Sequence, residues 1–432
     1  MIKIFNNHFK NLCLNLKIEK KRFILGLSGG VDSMALLHLL KNFIKCNQNL
    51  KIEVFPVIID HGLRPYSSIE ANAVLDMASN LGFETIIKKI NIIKPSGNIQ
   101  NWARKERRRI LCDIAFDWSA NLLLGHHSDD QVETIFMRSV KGSGIDGLVG
   151  MQEKIMWNGV LIIRPLIFFK KNQVIRYVKK NNIIFFQDSS NLDLKFERVR
   201  IRKVLKNISK RSWPSISEDL VKFSLLNKQL LKIINSVFIE WVQNNVLFDN
   251  RGAIRVDFKN LQNIFKRSNL FTINILGKII KTVGGKEFSP KKEKTLNFLN
   301  VIFHTSFRNT NLGNVNIFLK DKYLFFIREN RNINFKLEII KNKKYIFDGR
   351  FLLISKNSGN LIKSEIKDQD FINTNDAFDK YKVDINNTIP FMSTLEGVTV
   401  RPYLNRVNMK SEIKVNYEYN SFNLCLINRL FI

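Results

Sequence analysis

FILGLSGGVDSMALLHLL, residues 23–40, decides the fold of this chain. Its apolar start predicts a short strand, and the leucines after Ser33 recur at helical spacing. A strand, a glycine-rich turn and a helix in this order point the first backbone N–H groups of the helix at an anion. The stretch therefore predicts a phosphate-binding loop at residues 28–33.

The residue types of this loop suit ATP. Gly29 and Gly30 let the backbone approach phosphate oxygens and adopt positive φ angles, and serine hydroxyls add donors. Asp32 would repel a phosphate unless a magnesium ion bridges the two groups. The loop lacks the lysine of a Walker motif, and the alternative is a plain helix cap after a glycine-rich turn. The predicted ATP-binding residues are Ser28, Gly29, Gly30, Val31, Asp32 and Ser33, with Mg²⁺ on Asp32.

Strand and helix signals alternate through the first two hundred residues. Further strands are predicted at 52–59, 83–90, 121–125 and 160–163, and helices at 67–81, 98–118, 129–140 and 170–180. Ser67 or Ser68 is the predicted N-cap of the helix at 67–81. This order predicts an α/β domain whose parallel sheet is covered on both faces.

Polar residues follow three of the predicted strands. Besides the phosphate loop, they are Asp60, His61 and Arg64 after the second strand and the run 125–130 after the fourth. Ligands of such sheets bind beyond the carboxyl ends of the strands. Asp60, His61 and Arg64 are therefore candidates for contacting nucleotide or substrate.

Asp130 and Glu133 lie three residues apart on the predicted helix 129–140, so their carboxylates share one face. Two carboxylates together suit an ammonium group. The alternative is an ordinary acidic helix N-terminus, stabilised by the helix dipole. His126 and His127 stand close by, but without a spacing such as HExxH they do not indicate a zinc site.

Basic residues form two runs in the first half of the chain. Arg104, Arg107 and Arg108 share one face of the predicted helix 98–118, and the sequence does not decide which of them faces the site. In the second run, basic residues alternate with apolar ones and are candidate phosphate contacts. A solvated face is the alternative for either run. The second run comprises Arg198, Arg200 and Arg202.

The formal net charge of +31 is uneven along the 432 residues. Residues 1–150 carry 20 Lys and Arg against 14 Asp and Glu, a net of +6, and the remaining residues carry the other +25. Such an excess favours a polyanionic partner, because neutralised phosphates release counterions. The alternative is composition bias from an AT-rich genome, but that bias should raise Glu together with Lys. The charge therefore predicts a nucleic-acid partner.

Other sequence features exclude several classes of protein. No apolar run is long enough to span a bilayer, residues 1–22 lack a signal-peptide pattern, and the four cysteines form no CxxC pair. We therefore expect a cytoplasmic protein without membrane association, disulfide framework or zinc ribbon. The pattern predicts a catalytic domain at 1–213, a helical middle domain at 214–310 and a small β-rich region at 311–432.

Six stretches together resemble the tRNA(Ile)-lysidine synthase family, within the PP-loop or N-type ATP pyrophosphatase group. They are LSGGVDSMALLHLL, IDHGLRPYSSIEA, NIQNWARKERR, LLLGHHSDDQVETIFMRSVKGSGIDGLVGM, IRPLI and QDSSNLDLKFERVRIR, within about residues 22–205. The phosphate loop alone indicates only the PP-loop superfamily. The stretches HHSDDQVET and GSGIDGLVGM narrow the resemblance to the tRNA(Ile)-lysidine synthase family. Residues from about 216 to 310 resemble the family's helical middle domain more weakly.

The resemblance implies an adenine nucleotide α-hydrolase-like fold and a ligase that uses ATP and Mg²⁺. Such an enzyme adenylates the C2 oxygen of wobble cytidine 34 in a tRNA(Ile) with a CAU anticodon. Free L-lysine then displaces AMP to form lysidine, which changes decoding from AUG to AUA. No obligate protein partner is implied. The residues carried over by position are Ser28 to Ser33 on the ATP phosphates, the catalytic Asp32 and Arg104, and the lysine-binding Asp130 and Glu133. The basic excess of residues 151–432 would bind tRNA outside the catalytic domain, and Arg198, Arg200 and Arg202 are candidates for contacting it.

Two features depart from the family pattern. Residues 400–406 keep part of an Arg-rich motif without its Gly-Asp pair, so the C-terminal region is predicted to be degenerate. Val199 stands where a polar residue is expected.

Three rival interpretations remain. A PP-loop tRNA thiolase would need a set of cysteines that the spacing does not supply. A small-molecule amide synthetase would not need the distal basic charge. A non-catalytic RNA-binding module would have no use for the carboxylates of Asp32, Asp130 and Glu133.

Overall fold

The computed structural model describes the chain with gaps, and the described residues fall into two compact units, 1–232 and 233–432. The predicted domain boundaries after residues 213 and 310 stay predictions. The described residues are 1–15, 21–62, 66–90, 99–157, 159–187, 193–249, 251–286, 288–304, 307–331, 333, 336–340, 344–354, 359–363, 378, 381, 384–385, 387–394 and 399–400.

The first unit is built on a six-stranded sheet. Its strands are β1 (Lys21–Leu27), β2 (Ile52–Asp60), β3 (Ile86–Lys89), β4 (Asn121–Leu123), β5 (Lys154–Trp157) and β6 (Val160–Ile163). They are ordered β3-β2-β1-β4-β6-β5, and every neighbouring pair is parallel except β5 with β6. The predicted α/β fold with a parallel sheet is confirmed. The antiparallel edge strand β5 was not predicted.

Helices cover both faces of this sheet. Alternate residues of β1 point to opposite faces, with Phe23 and Leu25 packed in one apolar cluster and Ile24 in another. The first cluster includes side chains of α1, α2, α3 and α7, and the second includes side chains of α4. The helices of this unit are α1 (Ile2–Asn15), α2 (Val31–Cys46), α3 (Ser67–Asn80), α4 (Ile99–Asp117), α5 (Ser128–Val140), α6 (Ile145–Leu148), α7 (Lys171–Lys180) and α8 (Glu197–Arg211), followed by α9 (Ile216–Asn245), which continues into the second unit.

The predicted serine cap of α3 is wrong. Tyr66 is the N-cap residue, and no side chain caps the helix. The Ser68 hydroxyl donates instead to Oδ2 of Asp60 at 2.6 Å. The carboxylate of Asp60, at the end of β2, therefore binds the hydroxyl group that was predicted to cap α3.

The second unit combines helices with antiparallel sheets, as predicted. The C-terminal part of α9 and three further helices pack on one face of a five-stranded sheet with the order β7-β8-β11-β10-β9. The elements of this sheet are β7 (Val246–Phe248), β8 (Ile254–Asp257), α10 (Phe258–Arg267), α11 (Asn269–Val283), α12 (Lys292–His304), β9 (Asn309–Leu312), β10 (Val315–Lys320) and β11 (Tyr323–Arg328). The shorter strands beyond it are β12 (Lys336–Ile339), β13 (Lys344–Phe347), β14 (Phe351–Ile354), β15 (Gly359–Lys363), β16 (Pro390–Thr394) and β17 (Thr399–Val400).

Residues 344–354, within the region predicted to be β-rich, form a hairpin. Its halves, β13 and β14, pair antiparallel, and Asp348 and Gly349 between them have positive φ angles. An Asp-Gly pair is a strong turn signal between two strands. Among the described residues, no helix is long and apolar enough to cross a membrane.

Candidate active site

The loops that follow β1 and β4 meet at the carboxyl edge of the first sheet. β1 lies between β2 and β4, so the order of strands reverses there. Such a reversal opens a crevice at which α/β proteins bind ligands. A Cβ atom added to Gly125 would lie 3.2 Å from the carbonyl carbon and oxygen of Asp32. The absence of a side chain at Gly125 thus lets the two loops touch.

The loop at residues 28–33 is held by its own polar groups. The backbone N–H of Ser28 donates to Oγ of Ser33 at 3.2 Å, and the two serine hydroxyls lie 3.1 Å apart. Gly29 has a φ of +74°, and a Cβ there would stand 2.5 Å from a methyl carbon of Val74. Gly30 is the N-cap of α2, and no side chain caps the helix. The first N–H groups of α2 are therefore left for an anion to cap.

Asp32, in the first turn of α2, is paired with a lysine from another helix. Nζ of Lys171 lies 2.7 Å from both carboxylate oxygens of Asp32. The backbone N–H of Lys171 donates to Oδ1 of Asp129 at 2.9 Å, which fixes the start of α7 against the loop after β4. The carboxylate of Asp32 thus already holds one cationic group.

His127 connects Asp32 to the first turn of α5. Its Nε2 lies 3.7 Å from Oδ1 of Asp32 and 3.4 Å from Oδ2 of Asp130. His127 is the N-cap of α5 and forms a capping box with Asp130, whose Oδ2 accepts the backbone N–H of His127 at 3.1 Å. Burial alone would raise the pKa of Asp130, but His127, His126 and this N–H donor outweigh burial and lower it. The carboxylate of Asp130 is therefore ionised at neutral pH.

Glu133, the next acidic residue of α5, is almost completely buried, with 3% of its side chain exposed. Its Oε1 accepts from Nε of Arg202 at 2.7 Å. Its Oε2 is buried and has no hydrogen-bond partner. A buried carboxylate oxygen without a donor is costly, so Glu133 has capacity for one more donor.

Arg104 stands near both acids. It is exposed to solvent, yet partial desolvation together with the charges of Arg198 and Arg107 lowers its pKa to about 10, against the opposite effect of Asp130 and Glu133. It stays protonated at neutral pH. The influence of Asp130 and Glu133 on the pKa of Arg104 places this arginine within electrostatic reach of both acids.

Arg107 and Arg108, which share one face of α4 with Arg104, have other surroundings. The guanidinium of Arg108 lies over the ring of Trp157, 4.8 Å from its centroid. Burial lowers the pKa of Arg107.

His126 is a neutral histidine within the site. Burial lowers its pKa to about 3, and the nearby charges of Arg164, Arg107 and Arg104 act in the same direction, while Asp130 opposes them. Its Nδ1 is buried and has no hydrogen-bond partner.

In the cluster after β2, Asp60 has hydrogen-bond partners within the protein that the sequence did not predict. Asp60 is buried and accepts hydrogen bonds from the Ser68 hydroxyl and from the backbone N–H of Gly62, at 2.6 and 2.9 Å. Both bonds hold the loop after β2 in place. His61 follows Asp60 in this loop, and Arg64 lies outside the described residues. A contact of these three residues with nucleotide or substrate stays a prediction.

The alternating arginines lie on a helix, α8, which sends them to different sides. Arg198 and Arg202 are one turn apart and face α5, where Arg198 donates to Oγ1 of Thr134 at 3.4 Å. Arg200 donates to the carbonyl oxygens of Leu194 and Lys195. Their common role in contacting tRNA stays a prediction.

Sequence reasoning missed Lys171 and the bond between Arg202 and Glu133. Lys171 did carry a signal, because a lysine in the first turn of a helix opposes the helix dipole. A lysine at a position that the helix dipole disfavours often pairs with a nearby acidic side chain. The pairing of Arg202 with Glu133 depends on how α8 packs against α5, and nothing in the local pattern indicates it.

Residues 1–208 match the family described as PP-loop domain. Residues 1–208 thus form a PP-loop domain, and the chain is similar to tRNA(Ile)-lysidine synthases over most of its length. The PP-loop match includes the loop at 28–33, both acids of α5 and α7, so the site described above lies within the ATP-binding domain.

Curated relatives of this PP-loop enzyme carry one name over most of its length. It is 29% identical to the tRNA(Ile)-lysidine synthase of Wolbachia pipientis wMel, over 79% of each chain. It is 26% identical to that of Orientia tsutsugamushi (strain Boryong), over 91% of this chain and 92% of the relative. The similarity reaches 37% identity with the enzyme of Rhodopseudomonas palustris, over 43% of this chain and 54% of the relative.

Proposed function

We propose that this PP-loop enzyme is a tRNA(Ile)-lysidine synthase. It joins free L-lysine to C2 of cytidine 34 in a tRNA(Ile) with a CAU anticodon, with release of AMP and pyrophosphate. The observation that carries the proposal is the pair of carboxylates on α5: Asp130, which His127 links to Asp32 of the phosphate loop, and Glu133, whose buried Oε2 has no hydrogen-bond partner among the described residues. An acceptor left over in this place suits a cationic amino acid.

In the first step, the C2 oxygen of the cytidine attacks the α-phosphorus of ATP and pyrophosphate leaves. The N–H groups of the first turn of α2 and the hydroxyls of Ser28 and Ser33 hold phosphate oxygens. The guanidinium of Arg104 stabilises negative charge that develops between base and phosphate.

Asp32 would hold a magnesium ion once its carboxylate is released from the ammonium of Lys171, whose Nζ lies 2.7 Å from both oxygens. Within the described part of the chain, no cluster of three His, Cys, Asp or Glu side chains could hold a metal by itself. Mg²⁺ commonly combines one or two carboxylates with nucleotide phosphates. When bound, the ion neutralises phosphate charge as pyrophosphate departs.

In the second step, the ε-amine of lysine attacks C2 as the neutral base. A bond forms between that nitrogen and C2, the bond from C2 to the adenylated oxygen breaks with loss of AMP, and the nitrogen releases a proton. Asp130 and Glu133 orient lysine through its other, protonated amine. Oε2 of Glu133 supplies an acceptor that no residue in the described part of the chain uses.

The test is incorporation of radiolabelled lysine into an unmodified tRNA(Ile) with a CAU anticodon, with and without ATP. We expect ATP-dependent labelling of this tRNA and none of a tRNA(Met) control. Absence of labelling, with tRNA-dependent pyrophosphate release intact, would keep the adenylating enzyme and exclude lysine as its nucleophile. Labelling of both tRNAs would contradict the proposed specificity.

A further inference from the structure

The five-stranded sheet of the second unit carries its helices on one face, and Phe378, Tyr381 and Ile385 pack against part of the other. α10, α11 and α12 pack on the face formed by residues such as Val256, Ile317 and Phe326. Side chains alternate along a strand, so the residues between these point to the other face. Cross-strand pairing places Asn309 beside Phe318, Asn311 beside Asn316, and Phe325 beside Phe318 on this second face.

A cleft of about 610 Å³ lies on this second face. Its walls are aromatic: the ring of Tyr381 lies 4.6 Å from that of Phe318, which stacks on Phe325 at 5.3 Å. Amide groups line the rest of it, together with one carboxylate. The lining residues are Asn309, Thr310, Asn311, Asn316, Phe318, Ile327, Tyr381 and Asp384.

Positive charge flanks the aromatic residues along the same face. Nζ of Lys320 lies 5.7 Å from the centroid of the Tyr381 ring. Two more cations, Arg255 and Lys322, lie 4.0 and 5.3 Å from the centroid of the Tyr323 ring. Aromatic rings next to lysine and arginine on a sheet are a combination that binds single-stranded nucleic acid.

We propose that this cleft binds an unpaired nucleotide of an RNA strand. The base stacks on Phe318 and Tyr381, and the amides of Asn309 and Asn316 bond its edge. Asp384 accepts from an amino or imino group of the base and keeps phosphate away from that end of the cleft. Lys320, Arg255 and Lys322 lie along the path of the flanking phosphates.

The chemistry of the lining favours a base over an apolar protein segment. The amides of Asn309 and Asn316 each offer donors and an acceptor, and an apolar side chain in the cleft would cover these groups without bonding them, which is costly. The third amide, of Asn311, donates to Oε1 of Glu329 at 3.3 Å. A base edge offers both donors and acceptors in one plane. The inference rests on the proposed function only in taking tRNA as the source of the RNA strand.

The first test is photocrosslinking of the full chain to tRNA at 254 nm, with adducts mapped by mass spectrometry. We expect nucleotide adducts at Tyr381 or Phe318. Adducts confined to the first unit would overturn the proposal. Addition of nucleoside monophosphates gives the second arm: if they remove the adducts at sub-millimolar concentration, the cleft takes free nucleotides and not an RNA strand.

The second test is equilibrium binding of a fluorescent single-stranded RNA. Loss of a stacking partner weakens binding by about tenfold per base, so we expect this loss in Tyr381→Ala and recovery in Tyr381→Phe. Phe288→Ala is the matched control, since Phe288 is 72% exposed in the same unit and lies outside the cleft. Asn309→Ala, at an exposed position, tests the same cleft without removing a packed ring. Unchanged affinity in both cleft variants would mean that the cleft has another occupant.

The lysine-incorporation assay separates this inference from the proposed function. Crosslinks in the cleft without lysine incorporation would remove the proposed reaction and leave the RNA site. Lysine incorporation without such crosslinks would support the proposed reaction and remove the RNA site in the cleft.

Discussion

The carboxylate of Asp32 is bound by one cation, the ammonium of Lys171, and is proposed to bind a second kind, a magnesium ion. Lys171 occupies both of its oxygens, and the pair is about a third exposed, at 31% and 28%. Pairs with that much solvent contact contribute about 1 kcal/mol or less to folding. The geometry is therefore better explained by function than by stability, because an ammonium held this weakly gives way readily to a magnesium ion and phosphates.

The two-step chemistry predicts different defects for two carboxylates. Asp32→Asn should reduce tRNA-dependent pyrophosphate release by about 10²-fold or more, because the charge that holds the metal is lost. Glu133→Gln should leave pyrophosphate release largely intact and raise the KM for lysine. Pyrophosphate release and lysine incorporation are measured on the same preparations, with Asp76→Asn, an exposed carboxylate of α3, as control. If Glu133→Gln stops pyrophosphate release as fully as Asp32→Asn, the assignment of roles is wrong.

His126 predicts a pH dependence of stability. Its folded pKa is about 3, whereas an unfolded histidine titrates near ~6.5. As pH falls through this window, the unfolded chain binds a proton that the folded chain does not, so the contribution of His126 is present above pH ~6.5 and lost below it. His126→Gln should therefore lose less stability than the parent between pH 7 and 5. Urea unfolding at pH 8, 7 and 5 measures this, and the difference should not change between pH 8 and 7. Parallel curves at all three values would show that His126 is not kept neutral.

At the scale of elements, local patterns predicted most of what builds the site. The strands β2 and β6 and the helices α5 and α7 lie within one residue of their predicted bounds, because apolar periodicity and glycine-rich turns are local signals. Contacts between elements that are far apart in the sequence could not be predicted from these local signals. The alternation of Arg198, Arg200 and Arg202 suggested equivalent residues, but at 100° per residue a helix sends Arg200 away from its neighbours. Lys171 is 139 positions from Asp32, and only the packing of α7 shows their pairing.

The turn between β1 and α2 predicts opposite outcomes for its two glycines. Gly29→Ala places a Cβ 2.5 Å from Val74 at a φ of +74°, so we expect a loss of about 2 kcal/mol or more from strain and overlap. Gly30→Ala is the matched control, because its φ is −72° and the nearest atom to a Cβ is the Ser28 hydroxyl at 3.5 Å. Thermal unfolding of both variants gives the comparison. Equal losses would mean that the turn is not held in the conformation described.

At the scale of the whole molecule, positive charge belongs to both units. Residues 1–232 carry 38 Lys and Arg against 20 Asp and Glu, a net of +18, and residues 233–432 carry 31 against 18, a net of +13. A partner that used only the catalytic unit would leave the second excess unexplained. A tRNA is large enough to draw on both, and composition bias from an AT-rich genome is the interpretation to exclude.

Salt dependence decides between a polyanionic partner and composition bias. If the basic residues neutralise phosphates, the logarithm of the tRNA association constant falls linearly with that of salt concentration, by about 0.7 to 0.9 per phosphate contacted. We expect a slope of magnitude about 4 or more between 50 and 300 mM KCl, because a basic excess of this size should form several contacts. Replacing Lys320 and Lys322 together with alanine should reduce this magnitude by about 1 to 2, whereas Lys3→Ala, on α1 of the first unit, should leave it unchanged. The KM for ATP gives the internal reference, since a small ligand held largely by backbone N–H groups should respond far less to salt. A slope near zero for tRNA would mean that the excess of lysine reflects composition alone, and would remove charge as support for a nucleic-acid substrate.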